Sequence, residues 1–267
     1  MTVPDAPGLL LLAADIGNAH TVLGLVRDGE VLADWRISTD ERRTSDEWAV
    51  LIRGLLAGVR ELGTPEGVVV CATVPGVLHE WRDMVPRHFP ELPTVVVEAG
   101  VRTGVPVLMD NPREVGSDRI VNALAAATRY GGPAIVVDFG GTATTFDVVD
   151  SQGRYVGGAI APGIEISLEA LGRRGAQLRK VELVRPRSVI AKNTVEALQS
   201  GLVFGVAAQV EGMVARMRAE LGEPGEGLSV VATGYLADLV AGECGCFTDQ
   251  DPWLTLRGLE MVFLRNS

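Results

Sequence analysis

The feature that most limits how this chain can fold is an internal echo. LLLLAADIGN, TVLGLV, the turn Asp28-Gly29 and VLADWRIS read as three short strands with tight connections. The same grammar returns as AIVVDFGG, TTFDVV, the turn Ser151-Gln152-Gly153 and YVGGAIAPG. Short apolar runs bounded by Asp and Gly, with β-branched residues inside them, are strand signals. Asp138 lies 123 positions after Asp15, whereas Gly153 lies 124 after Gly29. The second copy therefore carries one extra residue, placed most economically in the Gly140-Gly141 pair. A duplicated unit of this kind predicts two similar lobes, with their acidic turns facing one another across a cleft. A single wound sheet predicts no such echo.

Helical spacing follows each meander, over Ser45 to Val59 with an acidic first turn after Ser45, and over Asn193 to Leu221 with Asn193 as the cap. VVVCATV near Val68 and SVVAT near Ser229 each run into Pro or Gly and a helical pattern, as a βα step does. The fold class is α/β, built twice. The punctuation Gly131-Gly132-Pro133 sets the expected boundary, giving lobes over 1–130 and 131–267. A helix from about Ser117 to Tyr130 precedes it, without a sign of which lobe it joins.

Composition narrows the partners. With 47% hydrophobic and 22% charged residues, the chain can bury a core and is not a disordered one. A formal charge of -10 offers no global attraction to nucleic acid or an anionic membrane, so a nucleotide must be caught locally. The apolar run Leu9 to Ala14 is too short for a membrane anchor, lacks the basic flank of a signal peptide, and reads as a buried strand. Cys71, Cys244 and Cys246 suit a reducing cytoplasm, and the CGC pair offers two thiolates where zinc needs four ligands.

A strand that ends in Asp-X-Gly and turns back presents backbone N–H groups and a carboxylate at one spot. The N–H groups suit a phosphate. The carboxylate, itself anionic, suits a cation beside it. Asp15 and Asp138 are the two such carboxylates. Gly17, Asn18 and Thr21 supply donors in the first turn, and Gly140, Gly141, Thr142, Thr144 and Thr145 in the second. A third constellation is NPREVGSDRIVNALAAA, where Ser117 or Asp118 caps a helix. The helix start and Arg119 beside it predict an Asp118 held in its ionised form, an acceptor but a weak base.

Six ordered blocks, DIGNAHTVLGL, NPREVGSDR, VVDFGGTATTFD, GGAIAPG, NTVEALQSG and PWLTLRGLEMVF, together resemble the type III pantothenate kinases. The resemblance implies two RNase H-like lobes of the acetate and sugar kinase, Hsp70 and actin superfamily. It implies ATP-dependent phosphorylation of pantothenate, the first committed step toward coenzyme A. It also implies Mg²⁺, a monovalent cation such as K⁺ or NH₄⁺, and a homodimer whose active site draws on both subunits. Carried onto this chain, Asp15, Ile16, Gly17, Asn18, Ala19, His20, Thr21 and Val22 form the first phosphate segment, with Asp15 near the metal. Gly116, Ser117, Asp118 and Arg119 fall on the Gly-Ala-Asp-Arg motif, with Asp118 as general base and Arg119 on pantothenate. Asp138 matches the monovalent-cation aspartate, Gly141 and Thr142 the second ATP segment, and Thr194 a threonine that touches pantothenate.

Four positions depart from the family pattern. Ala19 stands where Thr or Ser is usual, leaving Thr21 to supply the hydroxyl. Asp-Phe-Gly-Gly-Thr carries an added glycine. Met109 replaces a substrate-contacting tyrosine upstream of Asn111-Pro112, and Tyr235 adds bulk at Thr233-Gly234-Tyr235. These departures keep two rivals in view, a non-catalytic nucleotide-binding regulator of the same fold and a kinase for another hydroxyl acceptor. His20, His79 and His88 have no metal spacing. Arg173-Arg174, Arg179-Lys180 and Arg185-Arg187 read as a solvated face, and Met213 and Met217 at helical spacing as packing.

Overall fold

The computed structural model describes residues 8–174, 181–222 and 227–267. Leu11–Ile16 (β1), His20–Arg27 (β2) and Glu30–Ser38 (β3) form the first antiparallel meander. Ser45–Ala57 (α1), Gly67–Ala72 (β4), Pro75–His88 (α2) and Thr94–Val96 (β5) follow, with β4 parallel to β1 and β5 parallel to β4. After Ser117–Arg129 (α3), the second meander is Ala134–Phe139 (β6), Ala143–Val149 (β7) and Tyr155–Pro162 (β8). Ile164–Arg174 (α4), Thr194–Leu221 (α5), Ser229–Thr233 (β9), Ala237–Val240 (α6), Asp249–Gln250 (β10) and Leu254–Asn266 (α7) complete the chain. The strand orders are β3-β2-β1-β4-β5 and β8-β7-β6-β9-β10, one topology used twice.

Local chemistry sets the helix starts. Helix α1 starts at Ser45 as expected, and Thr44 before it supplies the cap, in a capping box with Glu47. Asn193 caps α5 as expected, its side-chain oxygen accepting from the Glu196 N–H at 2.9 Å. Pro75 opens α2, where its missing N–H costs nothing.

The extra residue of the second copy is not in the glycine pair. Asp15 pairs with Val22 and Ile16 with Thr21; Asp138 pairs with Thr145 and Phe139 with Thr144. The two Asp-X-Gly turns are thus equal in length, and neither Thr142 nor Asp138 is displaced by an added glycine. The difference lies in the hairpin beyond. Asp28 and Gly29, both at positive φ, make a two-residue turn. In the copy the chain crosses from Asp150 to Arg154 over Ser151-Gln152-Gly153, with Gly153 at φ 74. A rim turn absorbs a residue without touching register, whereas an insertion before β7 would turn its whole apolar set to the wrong face.

By contacts the chain forms two compact units, and they do not follow one cut near Gly131. One unit takes the chain to Val105, Asn111–Ala125 and Trp253–Ser267; the other takes Pro106–Asp110 and Ala126–Pro252. Helix α7, expected with the second lobe, lies on the first sheet, where Leu254, Leu256, Leu259, Val262 and Phe263 are buried. The reason is apolar area: the opposite face of that sheet is already covered by α1 and α2, with Trp48 and Trp81 at its centre, 5.5 Å apart edge to face. In the second unit the sheet packs on Leu202, Ala207, Val210 and Val214 of α5. Met213 and Met217 join that core, as expected. Helix α5 is long and apolar enough to cross a membrane by composition alone, and a buried stripe on it belongs to this core.

Candidate functional site

Strand alternation places both acidic residues. In β1, Leu12, Ala14 and Ile16 enter the core under α1 and α2, so Asp15 points to the other face. In β6, Ile135, Val137 and Phe139 are core and Asp138 lies opposite. Each carboxylate stands one residue short of its strand end, at the start of a turn whose geometry repeats. The Gly17 N–H donates to the His20 carbonyl at 3.0 Å, and a side chain on Gly17 or Gly140 would meet the carbonyl of His20 or Ala143 at 3.0 and 2.9 Å.

The first turn is tied by hydroxyls. Thr39 Oγ1 donates to the Gly17 carbonyl at 2.7 Å and its N–H donates to the Ala19 carbonyl at 3.0 Å. Since the Thr39 proton is so engaged, Thr21 donates to Thr39 Oγ1 at 2.9 Å. Thr21 is fully buried, so its hydroxyl holds the loop and does not replace the donor missing at Ala19. Thr73 adds a hydroxyl and an N–H to the Ile16 carbonyl. Asn18 is exposed at the tip, while Gly17, Ala19, His20 and Val22 are partly exposed around it.

Asp15 and Asp118 share a neighbour. The buried Cys71 thiol donates to Asp15 Oδ1 at 3.3 Å. Burial first, then the carboxylates of Asp15 and Asp118, push that thiol well above its ordinary value. Asp118 stands in the first turn of α3, flanked by partly exposed Gly116, Ser117 and Arg119. Its Oδ1 is enclosed, with no hydrogen-bond partner among the described residues. A side chain at Gly116 would sit 2.4 Å from that oxygen, so the glycine is what leaves room for it. Enclosure raises the Asp118 carboxyl above its ordinary value, against weaker lowering by the Arg119 N–H and guanidinium. This reverses the sequence expectation: helix start and arginine do pull the carboxyl down, but desolvation outweighs them.

The second turn is held by main chain. Gly163 N–H donates to the Thr142 carbonyl at 2.9 Å, and Ile166 N–H at the start of α4 donates to the Gly141 carbonyl at 3.2 Å. Gly163 takes the place of Thr39, and a Cβ there would lie 2.3 Å from the Gly141 oxygen. Without a partner like Thr39, the buried Thr144 hydroxyl has no hydrogen bond among the described residues. Tyr235 does add bulk here: its hydroxyl donates to Glu165 Oε2 at 2.6 Å, and both atoms crowd the open side of Gly141. Thr142 is exposed.

Below this turn Asp147, fully buried, accepts from Tyr155 Oη at 2.9 Å and from Thr145 Oγ1 at 3.1 Å. Tyr155 main chain in turn receives the Leu108 N–H and donates to the Pro106 carbonyl, which lays residues 106–110 along β8. That is how Met109 reaches the second unit, its sulfur beside Gly157. Thr194 is the exposed first residue of α5. Of the basic stretch, Arg185 pairs with Glu243 and Arg187 with Glu196, while Arg179 and Lys180 lie outside the described residues. Sequence reasoning missed Cys71, Thr39, Thr73 and Glu165. Only for Thr39 was a signal present, since it matches Gly163 of the echoed APG.

Two sheets of identical strand order, each with an acidic turn at the end of its first strand, define the actin-like ATPase and sugar kinase class of fold. Similar folds are those of a Baf family protein from Campylobacter jejuni described as a transcriptional activator (TM-score 0.59, 16% identity, covering 96% of this chain and 98% of that one) and of a ROK family glucokinase from Streptomyces griseus (TM-score 0.51, 14% identity, covering 96% and 99%). The type III pantothenate kinase family model matches residues 11–216, and a type III pantothenate kinase of Nocardioides sp. is 73% identical over 258 residues, covering 96% of this chain and 99% of that one. The chain belongs to the type III pantothenate kinase family.

Proposed function

We infer that the protein transfers the γ-phosphoryl group of ATP to the primary hydroxyl of pantothenate, the first step of coenzyme A biosynthesis, as its family membership indicates. Within the site, the observation that supports this most is the enclosed, unpartnered Oδ1 of Asp118 with its raised carboxyl. A carboxylate oxygen with no donor of its own among the described residues is positioned to accept one from a hydroxyl, and the raised value of the carboxyl improves it as a base. The pantothenate hydroxyl attacks phosphorus, its proton passes to Asp118 and ADP leaves. Because such a transfer is loose, orienting the hydroxyl matters more than basicity.

The phosphates of ATP are assigned to the two turns, Asp15 to Val22 and Gly140 to Thr142, supported by their repeated geometry. Among the described residues no three His, Cys, Asp or Glu gather around one point. The single carboxylate at each turn, Asp15 on β1 and Asp138 on β6, suits a hard cation arriving with the nucleotide, which takes one or two carboxylates and finishes its shell with phosphate and water. We therefore assign Mg²⁺ to Asp15 and a monovalent cation to Asp138. When bound, Mg²⁺ neutralises charge on the β- and γ-phosphate oxygens. Arg119, Gly116, Ser117, Met109 and Thr194 are assigned to pantothenate. A homodimer in the cytoplasm is the expected state, consistent with three free thiols.

Asp118→Asn tests the reading. Turnover, followed as ADP release with pantothenate and K⁺ present, should fall about 10²-fold or more with the fold retained; near-normal turnover removes Asp118 from the mechanism. No ADP release from the wild type with pantothenate, with or without K⁺, would favour a non-catalytic regulator, and release with a different acceptor a kinase for that compound. The acid limb of kcat/KM should lie above the ordinary carboxylate range and vanish in the variant. Stability carries the opposite sign. Between the unfolded and folded values of Asp118 the native chain holds more protons, so stability falls as pH rises through that interval. The variant should melt above wild type at neutral pH, and the gap should close as pH drops below the ordinary aspartate value.

A further inference from the structure

The CGC motif is not used by the kinase reading. Cys244 and Cys246 are free and partly exposed, with Gly245 alone between them, between α6 and β10 in the second unit. The Cys244 thiol also faces the carbonyls of Val240, at 3.5 Å, and Ala207, at 3.8 Å. The Gly245 N–H is fixed by Glu211 Oε1 at 2.9 Å, which pins the short loop between the two sulfurs. The charged groups acting on the pair are Glu211 and Glu243 on Cys244, and Glu211 and Arg218 on Cys246. The next residue, Phe247, packs edge to face on Phe139 with centroids 6.0 Å apart. Phe139 stands between Asp138 and Gly140.

We propose that Cys244 and Cys246 form a dithiol that exchanges with small-molecule disulfides, and that closing it weakens ATP binding through Phe247 and Phe139. The single intervening glycine, its N–H fixed by Glu211, supplies the geometry, and partial exposure supplies access. Cys246 is the attacking group, because the Cys244 thiol first and Arg218 more weakly hold its thiolate down in value, while Cys244 is held up. The Cys246 thiolate attacks one sulfur of R–S–S–R, forming a mixed disulfide and releasing RS⁻. Cys244 then loses its proton and attacks the Cys246 sulfur, closing the protein disulfide and releasing the second RS⁻. Two protein thiols are oxidised and one small disulfide is reduced to two thiols. In a reducing compartment such a bond is transient, which is the usual form of a cytosolic disulfide. The effect on ATP rests on the assignment of Gly140 to Thr142 to the nucleotide; the exchange does not.

The test treats the reduced, full-length protein with glutathione disulfide and reads intact mass, then peptides. Wild type should lose two hydrogens with no glutathione attached, and the peptide holding both cysteines should carry the bond. Cys244→Ser should keep one glutathione on Cys246, Cys246→Ser should gain none, and buried Cys71 should stay free. The KM for ATP should rise several-fold in the oxidised wild type, return with dithiothreitol and stay constant in treated Cys246→Ser. Two intact thiols, or glutathione on both, overturn the exchange. A disulfide with unchanged KM overturns the coupling. A disulfide in a protein without turnover sinks the kinase reading and leaves the exchange site standing.

Discussion

At Gly17 three threonines, Thr21, Thr39 and Thr73, hold the acidic turn, whereas at Gly140 the same bend is held by the N–H groups of Gly163 and Ile166. The registers are identical and the fastening is not. Hydroxyls need room beside the loop. Main-chain fastening removes that room, because Gly163 lets the Gly141 carbonyl come closer than any side chain permits. The lesson is that a repeated backbone geometry does not imply repeated partners, and a residue found in one copy is a poor guide to tolerance in the other.

Exchanging the fastenings should break the symmetry most severely. Gly163→Thr forces a Cβ against the Gly141 backbone and should cost about 3–5 kcal/mol, lowering Tm in calorimetry and abolishing activity. Thr39→Gly, which removes two hydroxyl bonds, should cost about 2 kcal/mol. Equal costs would mean the copies are interchangeable after all.

A smaller effect separates the tips. Gly141→Ala meets the ends of Tyr235 and Glu165, which can yield, so it should raise the KM for ATP several-fold, with part of the loss recovered when Tyr235→Phe is added. The matching Asn18→Ala, at an exposed tip, should shift stability by no more than about 0.5 kcal/mol.

The finest contrast lies in two buried hydroxyls. Thr21→Val should destabilise by about 1 kcal/mol, since its hydrogen bond to Thr39 is lost, whereas Thr144→Val should be neutral or mildly stabilising, there being no bond to lose. Urea midpoints of both variants decide it. A Thr144→Val as damaging as Thr21→Val would show a partner for that hydroxyl.

Much of this was legible in the sequence because it is local. Turn residues, strand alternation and the Asn193 cap depend on neighbours a few positions away, and the echo doubled every signal. What escaped depends on distant neighbours. Cys71 meets Asp15 across 56 positions and Tyr235 meets Glu165 across 70. Asp118 was misjudged because helix start and arginine are visible in a string of letters and enclosure is not. The extra residue was misplaced because counting brackets an insertion between landmarks without saying which bend tolerates it. Helix α7 carries no local mark that it belongs with strands some two hundred positions earlier.

That placement of α7 has a consequence for how the molecule comes into being. One face of the first sheet stays bare until residues 254–266 have left the ribosome, since Leu256 seats over Gly24, Phe263 over Gly67, and Glu260 caps the Gly29 N–H at 2.8 Å. The half synthesised first is therefore the half finished last. A nascent chain halted at Asp251 would own every strand from β1 to β10 and still present greasy β1 and β4 to whatever chaperone or protease is nearby.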